Sequence, residues 1–219
     1  MFAGSLHVRG QIDVDTVLRI GGHLRAESGI RVGRSLQVGE DLWAAGNIRS
    51  MGCLEVDGDV RVDWNLLVEE RLDCGGDLRV GRDVEVGTDC KIGGQSTVGG
   101  DVAVGAALKC LSNLRVRGAL KVGGSVWSAQ GIDVSQGIDV RDHLEACWRI
   151  VSGKSIVSGG AIKTGESLAA EEIIQAGEGY GIYAGLNVPV EVWEASAWVR
   201  ARERPNRLFS GHWHAPVTS

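Results

Sequence analysis

The sequence predicts an all-β fold: a single-stranded triangular β-solenoid (β-helix) of hexapeptide units, with 18 residues per coil, about ten coils and a small C-terminal cap. Three observations predict it. A large aliphatic residue recurs every six positions from Leu6 to Ile174, in 29 hexads without insertion or deletion, and only Cys90 and Ser96 depart from Leu, Ile or Val. A smaller apolar residue follows two positions later, as at Val8, Val14, Ile20, Ala26, Val32 and Val38. All 28 glycines up to residue 174 avoid these two positions and the one between them, and fall on the remaining three of each hexad.

A three-residue strand turns its first and third side chains to one face and its middle one to the other. The aliphatic pair therefore reads as inward and the middle residue as outward. The glycine-bearing triplet reads as a corner, where positive φ or close approach between coils is wanted. Three hexads close one triangle, and successive triangles stack at about 4.8 Å. The register weakens through Tyr180, Ile182, Leu186 and Val188, and all three prolines lie in the last 31 residues. Two regions follow: the solenoid over 1–188 and a C-terminal capping or docking element over 189–219. That element contains Trp193, Trp198, Trp213, Arg200, Arg202, Arg204 and Arg207, and alternates like a strand from Ser196 to Arg202.

Composition removes several classes. No apolar run reaches the length of a membrane-spanning helix, and the first residues lack the apolar core of a signal peptide. Collagen would need glycine at every third position with abundant proline. The net charge of −5 gives no general attraction to nucleic acid or to anionic membranes. Cys74, Cys90 and Cys110 fall on inward positions and Cys53 and Cys147 at corners, without a C-x-x-C pair. This usage fits a reducing cytoplasm and points to no metal or other cofactor. Only His212 and His214, flanking Trp213, have a spacing that two metal ligands could share.

Residues 18 apart stack on one another, so the surface can be read in columns. Asp41, Asp59 and Asp77 form one column, beside Arg25, Trp43, Arg61, Arg79 and Arg115 in the next; Asn47, Asn65, Asp83 and Asp101 form another. Stacked carboxylates suit either a bound cation or the capping of corner backbone groups. Asp59 with Arg61, and Asp77 with Arg79, are spaced to pair. Trp43, Trp64, Trp127 and Trp148 are outward and are candidate lateral contacts. The first coil has no covering element, so Phe2, Leu6, Val8, Ile12 and Val14 form a candidate self-association edge, most simply head to head about a two-fold axis. Trp193, Trp198, Arg200, Arg202, Arg204 and Arg207 are candidates for docking a protein partner.

Segments such as V-G-R-D-V-E (Val80 to Glu85), V-G-T-D-C-K (Val86 to Lys91) and V-G-G-D-V-A (Val98 to Ala103) resemble hexapeptide-repeat acyltransferases. Those enzymes imply coils interrupted by a histidine-bearing loop, which this chain lacks across its 29 hexads. The segments Gly4 to Val14, Gly52 to Val62 and Arg115 to Val126 resemble bactofilins, polymer-forming β-helix proteins of bacteria. That resemblance implies a right-handed β-helix that assembles end to end as a cytoskeletal scaffold. The expectation is thus a non-catalytic cytoplasmic scaffold that associates with itself as a filament or a head-to-head dimer. A rigid binding module docking a protein through its C-terminal element is the alternative, and an acyltransferase-like enzyme the third.

Overall fold

The computed structural model describes residues 2–215. Twenty-eight strands of three residues, from β1 (Leu6–Val8), β2 (Ile12–Val14) and β3 (Leu18–Ile20) to β28 (Leu168–Ala170), begin at every sixth residue, as the spacing predicts. Inward and outward positions also alternate as predicted: in β10 (Val60–Val62) the two valines are 1% exposed and Arg61 faces solvent. The resulting core runs as one apolar column from Ile12 to Ala201.

Every third strand lies in the same sheet, giving three parallel faces. From β1 to β29 the register is 18 residues without slippage, so Leu24 lies opposite Leu42 and Leu42 opposite Val60. Each strand is too short to be stable by itself. Its backbone groups are satisfied by the coils above and below, and this coupling is what makes the prism cooperative along its axis. At the corners the two-residue bends also bond between coils, as in Gly76 N–H to the Gly58 carbonyl at 2.9 Å.

None of the glycines up to residue 174 has a positive φ; among glycines only Gly179, Gly185 and Gly211 do. The corner glycines therefore serve close approach. A Cβ on Gly81, for example, would lie 2.1 Å from the carbonyl oxygen of Asp63 in the coil below.

After β28 come β29 (Ile174–Gln175), β30 (Ile182–Tyr183), a 3-10 turn (Val190–Val192), α1 (Trp193–Ser196), β31 (Trp198–Arg200), β32 (Leu208–Ser210) and β33 (His212–His214). Two extra residues separate β29 from β30, so the inward residue is Ile182, 0% exposed, whereas Tyr180 and Leu186 are 45% and 54% exposed. The strands beyond Pro189 join the ladder: β31 pairs with β28, β33 with β31, and β32 with β30, all in parallel. The first face thereby reaches 12 strands, the third 11 and the second 10. The count of about ten coils is corrected to about twelve at the tallest face, because Trp, Arg and His occupy strand positions that the aliphatic period does not reveal.

Candidate assembly ends and lateral surfaces

At the N-terminal end, β1 and β2 have no strand on their outer side among the described residues. The third face is different. Phe2 bridges Ile20, donating its N–H to the Arg19 carbonyl at 2.9 Å and accepting from Gly21 N–H at 2.8 Å. In a parallel ladder the middle residue of each strand turns its N–H and C=O toward the preceding coil. Those of His7 and Asp13 consequently face outward along the axis, without a hydrogen bond to any described residue. The side chains at this end are only partly covered. Leu6, Val8, Val14 and Leu18 are half-buried and Ile12 is 7% exposed, whereas Leu24 and Ala26 one coil further in are at 1% and 0%. Phe2 remains 49% exposed. The five residues of the predicted edge thus share one end of the prism.

The C-terminal end is covered on the first face. Trp213 sits opposite Val199 on the inward side of β33, and Val199 is fully buried beneath it. The Trp213 indole N–H is itself buried without a partner. Trp193 lies on α1, in the loop that leaves the prism between β30 and β31. This loop packs tightly on itself: a Cβ on Gly185, at φ +78°, would meet Ala197 Cβ at 2.2 Å and Trp193 Nε1 at 2.8 Å. Arg200 extends the outward column of the first face and lies 5.1 Å from the Trp198 ring. Arg202, Arg204 and Arg207 are exposed, and none of the four arginines takes part in the ion pairs found among the described residues. The docking candidates therefore divide between the loop (Trp193), the ladder (Trp198, Arg200) and the crossing segment that follows (Arg202, Arg204, Arg207).

Among the lateral tryptophans, three carry a cation from an adjacent coil. Arg25 lies 4.1 Å from the Trp43 ring centre, Arg82 lies 4.3 Å from that of Trp64, and Lys109 Nζ lies 5.2 Å from that of Trp127. Each lies over part of an outward indole, although Trp64 remains 47% exposed. Trp148, 52% exposed, carries no such cation among the described residues.

The Asx columns cap the backbone. Asp41 Oδ1 accepts from Asp59 N–H at 2.8 Å, Asp59 Oδ1 from Asp77 N–H at 2.8 Å, and Asp77 Oδ1 from Gln95 N–H at 2.8 Å. The second column does the same from Asn47 through Asn65, Asp83 and Asp101 to Ala119. His23 and His143 substitute in this role, each accepting through Nδ1 from the N–H 18 residues on. No cluster of three or more metal-ligating side chains exists among the described residues. Arg79 pairs with Asp77 at 2.8 Å as expected, whereas Arg61 pairs with Asp63 at 3.2 Å in place of Asp59. The His212 and His214 rings meet edge to face, 4.9 Å between centres.

Two of the three interior cysteines have a structural use that spacing alone does not reveal. The hydroxyls of Ser50, Ser128 and Ser152, at the third strand position, each donate to a corner carbonyl 16 residues back and lie near another three residues on. Cys74 and Cys110 place their Sγ atoms at the same two carbonyls, 3.4 to 3.6 Å away. Burial raises all three interior thiols, Cys74 to about 12. These groups are therefore neutral and inert.

No helix among the described residues is long and apolar enough to cross a membrane. No protein-family model matches the chain, and neither a curated protein nor a solved structure matches it significantly.

Proposed function

We propose that the protein is a non-catalytic, cytoplasmic structural scaffold that associates with itself through the N-terminal coil, in the manner that its resemblance to bactofilins implies. The observation that carries the reading is the inequality of the ends. One end leaves Leu6 and Val8 half-buried beside the backbone of His7 and Asp13, which bonds to no described residue; the other is closed on its first face over Val199 by Trp213. Two first coils facing each other about a two-fold axis could pair these edges in antiparallel fashion. With only three residues per edge the hydrogen bonds are few. The drive comes from covering Leu6, Val8, Ile12, Val14, Leu18 and Phe2, at roughly 25 cal/mol per Å² of apolar surface removed from water.

Sedimentation of the full chain over a range of concentrations, with negative-stain microscopy, tests the proposal. Dimers twice the length of one prism, or filaments, support it. A concentration-independent monomer overturns it, and a trimer with clefts between prisms favours an acyltransferase-like assembly.

A second reading is supported by the loop between β30 and β31, where Leu186, Val190 and Val192 are 54%, 88% and 49% exposed. Such a projecting apolar loop suits docking of a protein partner at the C-terminal end, with the prism as a rigid spacer.

A further inference from the structure

The three faces end at different heights, and the shortest leaves a gap. On the second face the ladder stops at β29. In the rung below, β26 (Ile156–Ser158), the Ile156 N–H donates forward to the Ile173 carbonyl at 2.8 Å. By the same alternation the N–H and C=O of Ile174 point toward a following rung, and Ala176, the residue just past the end of β29 at Gln175, would continue that edge once a further strand extended it. None of the N–H and C=O groups of these two residues has a hydrogen bond to another described residue, although Ile174 is only 4% exposed. Unpaired backbone groups in so sheltered a place are uncommon and costly.

The chain crosses this side once more after β31, over residues 203–207, but forms no strand there. It is held at its two ends, where Arg202 N–H donates to the Glu172 carbonyl at 2.8 Å and the Arg207 carbonyl accepts from Ile182 N–H at 3.0 Å. Between these anchors it leaves a cleft of about 450 Å³, with residues 173–178 on one wall and 203–207 on the other. The charges around it, Glu178 and Glu203 against Arg204 and Arg207, balance.

We propose that this cleft binds an extended peptide segment of a partner protein, which adds to β29 as the missing rung of the second face. Backbone hydrogen bonds supply the affinity, as in other cases of strand addition. The segment is about five residues long. Its first and third carbonyls accept from Ile174 and Ala176, and its third and fifth N–H groups donate to them. Its second and fourth side chains turn toward Ile182 and its neighbours in the core, so they are aliphatic or small. Proline is excluded at the third and fifth positions. A second copy of the prism does not fit this role. The first face rises two strands beyond β28 and the third face one strand beyond β30, so a whole solenoid end is held off, whereas a single free segment can enter.

The probe is the labelled peptide acetyl-Gly-Ile-Asp-Val-Ser-amide, the sequence of residues 131–135, added to the full chain. Binding is followed by fluorescence anisotropy and by amide exchange in NMR. Saturable binding is expected, with exchange at Ile174 and Ala176 slowed about tenfold or more and that at His7 and Asp13 unchanged. N-methylation at the peptide's Asp should weaken binding about fivefold or more, the loss of one backbone hydrogen bond. On the protein side, Ala176→Pro removes an N–H that bonds nothing in the free chain. Proline is tolerated at such an edge position, and the variant should lose affinity similarly while keeping its circular dichroism. Three results would overturn the proposal: no saturation at millimolar peptide, protection at the N-terminal edge instead, or protection of Ile174 that follows protein concentration without peptide. The last would assign the cleft to another copy.

Discussion

Asp41 Oδ1 accepts a hydrogen bond from the N–H of Asp59 at 2.8 Å, and a Cβ on Gly58 would lie 2.3 Å from that same oxygen. The carboxylate of one coil thus fills the space that a side chain on the next would need. The same relation links Asp59 to Gly76, Asp77 to Gly94, Asp83 to Gly100 and Asp101 to Gly118. Capping and glycine are two halves of one corner device.

That device predicts coupling. Asp41→Ala should cost about 1 kcal/mol, as loss of a helix cap does, since the Asp59 N–H can turn to water. Gly58→Ala should cost about 1–3 kcal/mol, because its Cβ also approaches the Glu40 carbonyl at 3.0 Å. The double variant should cost less than the sum, since removing the carboxylate clears the nearest collision. Gly10→Ala, where nothing lies within 4 Å of the new Cβ, is the neutral control. Denaturant titrations of the four variants measure the cycle, and strict additivity would break the proposed link.

How far the sequence carries follows from these corners. A period of six with fixed inward positions determined β1 to β28 and their register, because an aliphatic residue displaced by one would face water. It did not separate the two uses of glycine. Both leave a glycine in the same triplet, and only the backbone angles, with the Asp41 carboxylate beside Gly58, show that proximity is the reason. Beyond Ile174 the period fails for a local cause: two residues inserted before Ile182 and a long loop before Trp198 break the count, though the ladder continues. At the N-terminal end the sequence shows that β1 and β2 open the ladder, but not that Phe2 bridges Ile20 on the third face. The gap above β29 was not legible, since an absent rung has no residues to read.

The third strand position predicts how cysteine and serine exchange. Cys74→Ser should change stability by less than about 1 kcal/mol, because a hydroxyl there meets the carbonyls of Gly58 and Asp77, which stand where those of Arg34 and Cys53 stand for Ser50. Cys90 occupies the first strand position, where no carbonyl is offered to its thiol among the hydrogen bonds of the described residues. Cys90→Ser should therefore cost about 1–3 kcal/mol, the penalty for a buried hydroxyl without a partner. Equal effects of the two substitutions would show that position does not matter.

Ser96 already bears that penalty. Its hydroxyl is buried without a partner, at a position that holds Leu78 one coil below and Leu114 one coil above. Ser96→Val should stabilise the prism by about 1–2 kcal/mol, from removal of the unsatisfied group and added apolar burial. A higher denaturation midpoint with an unchanged m-value is the expected signature.

The interior thiols also predict a contribution to the alkaline limb of stability. In the folded chain burial holds Cys74 protonated up to about 12, against 9.0 for a free thiol, and raises Cys90 and Cys110 in the same direction. Above pH 9 the unfolded chain releases protons that the folded chain keeps, so stability falls as pH rises. Each such thiol contributes up to about 1.4 kcal/mol per pH unit. Replacing Cys74 and Cys110 with serine should lessen the loss between pH 9 and pH 11, with Cys90 keeping its share, and change stability at pH 7 by less than about 1 kcal/mol per site. A loss that stays equally steep would place its origin elsewhere.

Association at the N-terminal coil makes the last prediction. Leu6 and Val8 are half-buried on the open edge, and each coil contacts only its neighbours. Charged residues in their place, as in Leu6→Glu with Val8→Lys, would put two desolvated charges into any interface built on that edge. They would leave the coils from Leu24 onward untouched. Self-association should weaken by about 100-fold or more, equivalent to about 2.7 kcal/mol, while the β-type circular dichroism and the denaturation midpoint of the monomer stay nearly constant. Sedimentation of the variant against the parent chain measures the first and a denaturant titration the second. Assembly that persists in the variant would move the interface off this edge, either to the projecting loop that carries Leu186 and Val190 or to the lateral face around Trp148.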